Sequence, residues 1–189
     1  MSNILPIRIY GDPVLREPAR PVKAITPKIQ TLVEDMFATM RAAQGVGLAA
    51  QQVGRTEAVC VVEIPESYDT EEENGPRLNP GIPLALAFVN PKIMQVSDDT
   101  SCMEEGCLSF PDIRGNVERP WSITVEHLGM DGKIKTTQLN GFFARAAQHE
   151  MDHLAGDLFI DHFSHVKKLA IRGKLKRLQA ETLEQIQAN

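Results

Sequence analysis

The chain has 189 residues, of which 42% are hydrophobic and 24% are charged, and these values are typical of a globular protein and argue against disorder. Its length is sufficient for one domain with a proper core. The formal net charge of −5 argues against a protein that coats nucleic acid or acidic lipid over its whole surface.

The amino-terminal segment, Met1 to Tyr10, contains neither a charged leader nor an apolar stretch followed by a cleavage site. The longest apolar run, Pro83 to Val89, is too short to cross a bilayer. There are three cysteines, and this odd number favours free thiols over a disulfide framework. We therefore predict a cytoplasmic protein without a signal peptide and without contact with a membrane.

The first predicted helix begins at Thr26 and Pro27, which provide an N-cap and a proline at the first helical position. Apolar side chains then recur at helical spacing until Gly45 and Gly47 interrupt the pattern. This spacing predicts an amphipathic helix that packs on the core through Ile29, Leu32, Val33, Met36, Phe37 and Met40.

The middle of the chain is predicted to be rich in β-strands. The predicted strands are Ala58 to Ile64, Ala87 to Asn90, Ile93 to Val96, and a hairpin of Ser122 to Leu128 with Lys133 to Leu139. The polar stretch Pro65 to Pro83 lies between predicted strands, so it is predicted to be a long loop and not a linker between domains. A lid and a solvated excursion are both open interpretations of this loop, and the second is favoured.

The second predicted helix begins at Asn140 and Gly141 and carries the sequence His-Glu-Met-Asp-His from His149 to His153. Two histidines four residues apart lie on one face of a helix, and Glu150 lies close enough to reach a metal-bound water. Apolar residues around the pair indicate that it faces a core, where two buried imidazoles are costly unless they share a cation. A hydrolytic metal site is the favoured interpretation, and a surface helix with two unrelated histidines is the alternative.

A basic amphipathic helix is predicted near the carboxyl terminus. Six basic residues and no acidic residue lie between Phe163 and Ala180, and apolar residues recur near helical spacing. The local charge suits RNA phosphates, as on a ribosome, but a helix that packs on its own domain fits the pattern equally well. The basic residues are Lys167, Lys168, Arg172, Lys174, Lys176 and Arg177.

Two histidines leave the metal site incomplete, because a catalytic site of this type uses three protein ligands. The metzincin pattern would place a third histidine at position 159, where this chain has Phe159. A cysteine thiolate is a suitable partner for two imidazoles. Cys107 is the favoured third ligand, Cys102 is the competing candidate, and Cys60 is assigned to the core because it lies in an apolar run.

Three separated segments resemble the signature motifs of peptide deformylases in order and approximate spacing: Gly45 to Gln52, Glu105 to Ser109 and Gln148 to His153. The similarity covers roughly Ile7 to Asp161. Members of this family remove the N-formyl group from the initiator methionine of nascent bacterial or organellar proteins and release formate. The resemblance therefore implies an enzyme of protein biosynthesis that processes the amino-terminal methionine.

The resemblance also implies roles for individual residues. It assigns Glu150 as the general base and acid for a metal-bound water that attacks the formyl carbon, and it assigns Gln52 and the backbone N–H of Leu108 as hydrogen-bond donors to the formyl oxygen. It implies one divalent cation, with Fe²⁺ expected and Zn²⁺, Ni²⁺ or Co²⁺ as alternatives. The implied metal ligands are Cys107, His149 and His153.

By the same analogy, N-formylmethionyl nascent peptides are the expected partners, and the basic helix suggests the ribosome; no sequence-specific nucleic acid is expected. Val46 and Phe142 are expected to border the substrate, but core packing is an equally good interpretation of both. Arg145 departs from an apolar position common in bacterial members, so it reshapes the pocket, or else it turns outward or pairs with an acidic neighbour. The full set of implied substrate neighbours is Val46, Gly47, Arg114 and Phe142.

The expected fold class is α+β, with antiparallel or mixed β-sheets packed around a central metal-binding helix, an amphipathic helix before it and a helix at the carboxyl terminus. We predict a catalytic region at residues 1–163 and a basic helix at residues 164–189 within one domain. Two rival functions stay open: a zinc endopeptidase of the same helix motif, and a non-catalytic metal-binding module.

Overall fold

The computed structural model describes residues 2–73 and 75–188. Three residues lie outside the described ones. They are Met1 in the predicted amino-terminal segment, Asn74 in the predicted polar loop and Asn189 in the predicted basic helix. The helices and strands are, in chain order, α1 (Pro27–Ala42), β1 (Gly47–Ala49), β2 (Val59–Glu63), β3 (Ala85–Val96), β4 (Thr100–Gly106), β5 (Arg114–Pro120), β6 (Ser122–Leu128), β7 (Ile134–Asn140), α2 (Gly141–Ala155) and α3 (His165–Ala188). This order confirms the predicted α+β class.

Helix α1 begins where the sequence predicted and ends at Ala42, three residues before Gly45. The Thr26 side chain accepts a hydrogen bond from the backbone N–H of Ile29, and Pro27 occupies the first turn. After Ala42 the chain turns through Gln44, which has a left-handed φ of 57°. The apolar face of α1 packs against one face of a five-stranded sheet.

The main sheet is antiparallel and has the strand order β1-β2-β3-β6-β7. The predicted hairpin is confirmed, since β6 pairs with β7 from Ser122 opposite Asn140 to Leu128 opposite Ile134. The prediction of two short strands before it was wrong, because β3 runs without interruption from Ala85 to Val96. Asn90 and Pro91 are accommodated by a bulge, and the Asn90 side chain bonds the backbone of Val22.

A second sheet of two strands was absent from the sequence predictions. Strands β4 and β5 form an antiparallel hairpin with Gly106 opposite Arg114. The buried positions of β5 alternate, as expected for a strand, but they are Gly115, Val117 and Arg119. A glycine and an arginine at buried positions conceal the apolar alternation that would have revealed the strand.

Helix α2 lies on the face of the main sheet opposite α1. Its residues Phe143 and Ala147 share a core with Phe88 of β3 and Leu139 of β7. Glycines bound the helix on both sides, and Gly156 ends it in the left-handed conformation with φ of 85°. The helix is therefore fixed at both ends and along its buried face.

Helix α3 is buried through few residues, chiefly Ile171 and Thr182. Ile171 joins a third core cluster together with Val117 of β5. The division into residues 1–163 and 164–189 stays a prediction. No helix in the described ranges has both the length and the apolar character to span a membrane.

The loop between β2 and β3 is tied to the protein at its base. The Asp69 side chain is buried and accepts hydrogen bonds from Arg77 and Asn79. Asn79 also accepts a hydrogen bond from the backbone N–H of Asn140, just before α2. Tyr68 extends from this base and lies edge-on to Phe142, with ring centroids 5.0 Å apart.

Candidate metal centre

Helix α2 presents its two histidines side by side. His149 and His153 are one turn apart, both are buried, and their ring centroids are 5.2 Å apart. The pair therefore faces the interior, as the apolar residues around it predicted. The alternative of two unrelated surface histidines was wrong.

The thiol of Cys107 lies next to the two histidines of α2. It follows directly after β4, and its Sγ lies 3.3 Å from Nε2 of His153. The potential ligand atoms of Cys107, His149 and His153 all lie within 4.8 Å of one another. Cys102 is exposed and Cys60 is fully buried in β2, so geometry favours Cys107 over both.

These three residues fit one divalent cation. A thiolate with two imidazoles is a donor set typical of borderline metals such as Zn²⁺ and Fe²⁺. Burial and the neighbouring His149 hold the pKa of His153 well below its usual value, which keeps its imidazole in the neutral form that coordinates metals. The buried Oε2 atom of Glu150 has no hydrogen-bond partner among the described residues, so the site has a polar group available for a further ligand such as water.

Glu105 sets the orientation of His149. Its Oε2 accepts a hydrogen bond from Nδ1 of His149 at 3.0 Å, and this contact leaves Nε2 free for the metal. Burial favours the neutral acid, but hydrogen bonds from His149 and Arg119 outweigh it and lower the pKa of Glu105 to about 2. Glu105 is therefore ionised near neutral pH, and its carboxylate supports the proposed metal ligand His149 through a hydrogen bond.

Cys107 and Glu105 both act on the pKa of His149. Burial lowers the pKa of His149, but hydrogen bonds to Cys107 and Glu105 outweigh it and raise the pKa well above the usual value. A divalent cation would be held by the neutral imidazole, so the proton that a raised pKa keeps on His149 would have to leave when a metal binds. Binding of the metal is thus coupled to release of a proton.

Glu150 follows His149 in α2 and faces Gly47 of β1. Burial raises its pKa to about 7, although the neighbouring His149 opposes this shift. A Cβ atom added to Gly47 would lie 2.8 Å from both Cγ and Cδ of Glu150. Gly47 therefore makes room for the carboxylate of this glutamate.

Gln52 is held with its amide nitrogen toward the site. The residue lies in a short 3-10 helix, Ala50–Val53, and its Oε1 accepts a hydrogen bond from the backbone N–H of Ala49 at 2.8 Å. Its Nε2 lies 3.4 Å from Sγ of Cys107 and 3.3 Å from Oγ of Ser109. The hydrogen bond from Ala49 thus fixes which end of the amide can donate.

Leu108 and Arg114 flank the centre at the turn between β4 and β5. Leu108 follows Cys107 in the chain, and its side chain packs against Gly45 so closely that a Cβ there would lie 2.8 Å from Cδ1 of the leucine. Arg114 is largely exposed and forms a long ion pair with Glu104 at 3.9 Å. The roles of both residues toward a substrate stay predictions.

Val46 and Phe142 are partly buried against the core cluster that contains α2. Phe142 also contacts Tyr68 of the loop between β2 and β3. Core packing and substrate contact both fit these positions, so their role at the substrate stays a prediction.

Sequence reasoning did not assign a role to the charged residues behind the histidines. Arg119 bonds both oxygens of Glu105 and also Oδ2 of Asp152. Arg145 turns inward and pairs with Glu105 at 2.6 Å, which agrees with the predicted alternative of an acidic partner. Glu105 lies within one of the segments that carried the resemblance, and this position was the available signal that it belongs to the site. Arg119 and Arg145 lie 14 and 40 residues from Glu105 in the sequence.

Comparison with known proteins extends the similarity over most of the chain. The family model described as polypeptide deformylase matches residues 4–169. A peptide deformylase of Agrobacterium fabrum is 42% identical over 166 residues, which cover 88% of this chain and 91% of that protein. One of Salinibacter ruber is 41% identical over 175 residues, which cover 93% and 88%.

Solved structures show the same fold. The crystal structure of peptide deformylase from Ehrlichia chaffeensis matches with a TM-score of 0.79 and 33% identity, over 96% of this chain and 99% of that one. The crystal structure of peptide deformylase from Thermotoga maritima matches with a TM-score of 0.74 and 38% identity, over 86% and 99%.

Proposed function

This chain belongs to the peptide deformylase family and removes the N-formyl group of nascent polypeptides, and we propose that the Cys107–His149–His153 centre is where it does so. The observation that carries this assignment is the buried Oε2 atom of Glu150, which has no hydrogen-bond partner within the described part of the chain and lies beside three converging metal ligands. Fe²⁺ is the proposed native cation, with Zn²⁺, Ni²⁺ and Co²⁺ as alternatives that suit the same donors. When bound, the cation supplies Lewis acidity that makes water a nucleophile near neutral pH.

Glu150 is the proposed general base and general acid. Its pKa of about 7 allows its carboxylate to accept a proton from the attacking water and to return that proton to the leaving amine. Burial keeps bulk water away from the carboxylate, and Gly47 leaves it the space to face the substrate. One side chain can therefore serve both proton transfers.

Gln52 and the backbone N–H of Leu108 are the proposed donors to the formyl oxygen. Negative charge develops on that oxygen as the carbonyl carbon becomes tetrahedral, and fixed donors stabilise it without reorganisation. The bond from Ala49 holds the Gln52 amide in the required orientation before substrate arrives. Removal of one such donor typically costs about 3 kcal/mol of transition-state stabilisation.

An extended peptide fits the outer edge of β1. This strand is the first in the order of the main sheet, and it carries Gly47 next to the carboxylate of Glu150. A peptide that pairs with such an edge as an added strand would place its amino terminus at the metal centre. Val46, Phe142 and Arg114 are the proposed neighbours of its side chains and backbone.

The two rival functions predict different results with formylated and unformylated peptides. A zinc endopeptidase would cleave an unformylated internal peptide bond, and a non-catalytic module would act on neither substrate. We expect the metal-loaded protein to release formate from a formyl-Met-Ala-Ser peptide and to leave the unformylated peptide intact. Cleavage of the unformylated peptide, or failure to release formate when loaded anaerobically with Fe²⁺, would contradict the proposal.

Docking on the ribosome through α3, and with it a cytoplasmic location, is a separate part of the proposal. The basic side chains Lys174, Lys176 and Arg177 are exposed on α3, where they can meet RNA phosphates. Replacement of all three by glutamate should abolish co-sedimentation with ribosomes at low salt and leave formate release from a short peptide unchanged. Unchanged co-sedimentation would refute the docking.

A further inference from the structure

A buried arginine lies one helical turn before the metal ligand His149. Arg145 of α2 is 3% exposed, although it neither belongs to the proposed ligand set nor takes part in the proposed proton transfers. Burial of an arginine carries a large desolvation cost, and an apolar residue would avoid that cost. Its contacts therefore indicate what the charge does in this position.

Arg145 connects α2 to both strands of the β4–β5 hairpin. Its Nη1 donates to Oε1 of Glu105 at 2.6 Å and to the backbone carbonyl of Val117 at 2.9 Å. Its Nη2 donates to the backbone carbonyl and the hydroxyl of Ser101. One planar guanidinium thus fixes the start of β4, the end of β4 and the middle of β5 relative to the helix.

Arg145 is linked through Glu105 to two of the proposed metal ligands, His149 and Cys107. Glu105 uses one oxygen for Arg145 and the other for Nδ1 of His149. Glu105 is also only two residues before Cys107 in the chain. Hydrogen bonds therefore link the arginine to the His149 imidazole through Glu105, and the chain links it to Cys107.

The charges in this cluster balance without His149. Arg119 pairs with Glu105 and Asp152, and Arg145 pairs with Glu105, so two arginines meet two carboxylates. The imidazole of His162 also contacts Asp152. Lysine could supply the same charge as Arg145, but not four bonds to groups spread over two strands. The geometry of the guanidinium is thus required as well as its charge.

We propose that Arg145 is a positioning residue of the metal centre, which acts through Glu105 to hold the His149 imidazole and the hairpin that carries Cys107 at coordinating distance. This inference rests on the proposed metal centre. Groups that orient metal ligands from behind typically change metal affinity by about 10- to 100-fold when they are removed.

The test measures metal binding, not turnover. The metal-free protein is titrated with Co²⁺, and the thiolate-to-cobalt absorption band reports both affinity and coordination. We expect Arg145→Leu to weaken Co²⁺ binding by about 10- to 100-fold and to shift the band. Arg145→Lys should lie between this variant and the wild type. Arg177→Leu, which removes an exposed arginine from a long ion pair on α3, is the matched control and should bind as the wild type does.

A double-mutant cycle separates positioning from general destabilisation. If Arg145 acts through Glu105, then Arg145→Leu should change Co²⁺ affinity less than about threefold in a Glu105→Gln background. The double variant also removes one positive and one negative charge together, so it remains informative if the unbalanced single variant fails to fold. Equal effects of Arg145→Leu in both backgrounds, or wild-type affinity in Arg145→Leu, would overturn the inference. Absence of the thiolate band in the wild type would instead refute the metal centre itself.

Discussion

Glu150 is the residue on which the proposed chemistry depends most directly. Replacement by glutamine keeps its size and its contact with Gly47 but removes the proton acceptor. We expect Glu150→Gln to retain the metal and to lower kcat by at least about 100-fold, the usual contribution of a general base. The assay is formate release by protein of measured metal content, with Glu57→Gln, a variant of a surface ion pair, as the control. Turnover close to that of the wild type would remove Glu150 from the mechanism.

Gly47 can be tested as the residue that leaves room for that carboxylate. The methyl group in Gly47→Ala would lie 2.8 Å from Cγ and Cδ of Glu150 and would displace the side chain. We expect a fall in kcat comparable to that of Glu150→Gln with the metal content unchanged. Gly173→Ala in α3 is the matched control, because its added carbon has no described atom within 4 Å apart from its chain neighbours and the backbone of its own helix. If Gly47→Ala reduced only the affinity for peptide, the strand-pairing role of β1 would explain the glycine instead.

The raised pKa of Glu150 also has a consequence for the stability of the metal-free protein. A carboxyl whose pKa rises from 4.5 to about 7 on folding stabilises the fold below pH 4.5, and this contribution is lost as the pH rises through about 7. The loss amounts to about 3 kcal/mol for a buried group. The metal-free Glu150→Gln variant should therefore be more stable than the wild type at pH 8, and the difference should shrink at pH 5. Urea unfolding at both pH values measures it, and a constant difference would contradict the shift.

The predictable part of the site consists of residues that are close in sequence. His149, Glu150 and His153 are specified by helical periodicity alone, and Cys107 and Gln52 lie in short segments with a recognisable composition. The arginines of the buried ion cluster could not be placed in the same way. Their partners are 14 to 44 residues distant, so the pairing depends on a hairpin that the sequence did not reveal.

At the level of the elements, helices α1, α2 and α3 were predicted, whereas strands β1, β4 and β5 were missed. Helices α1 and α2 carry end signals in their own residues, whereas strands depend on their neighbours. Strand β3 passes through Asn90 and Pro91 because the bulge removes the need for regular pairing there. The β4–β5 hairpin escaped prediction because its inner face holds a buried arginine, Arg119, which is paired with an equally buried glutamate.

The end of α2 provides a test of an element. Gly156 has a φ of 85°, and a Cβ atom there would also lie 2.7 Å from the backbone carbonyl oxygen of Arg16. Gly132 has a similar φ of 77° with no described atom within 4 Å, so Gly132→Ala isolates the backbone strain. We expect Gly132→Ala to cost about 1 kcal/mol in urea unfolding and Gly156→Ala clearly more. Equal losses of stability in the two variants would show that the backbone at Arg16 shifts easily to make room for the added methyl group.

At the level of the whole molecule, the metal centre connects parts that otherwise have separate cores. Cys107 follows the two-stranded sheet and packs with the third core cluster, whereas His149 and His153 belong to the helix that covers the main sheet. A cation bound by all three residues would join these layers at a point where Glu105, Arg119 and Arg145 also link them. Its binding energy is therefore available to the folded state and is largely absent from the unfolded chain.

Removal of the metal should consequently lower the stability of the entire fold and not only abolish activity. We expect chelation to reduce the free energy of unfolding by about 4 kcal/mol relative to protein at a free metal concentration of about 1,000 times Kd. A single cooperative transition should persist, because α2 stays fixed to the main sheet through Phe143 and Ala147. Cys107→Ser should lose most of this dependence on metal, while Cys102→Ser, which changes an exposed thiol, should retain it. If chelation left the transition of the wild type unchanged, the cation would not link the two layers, and the positions of Cys107 and the histidines would be set by packing alone.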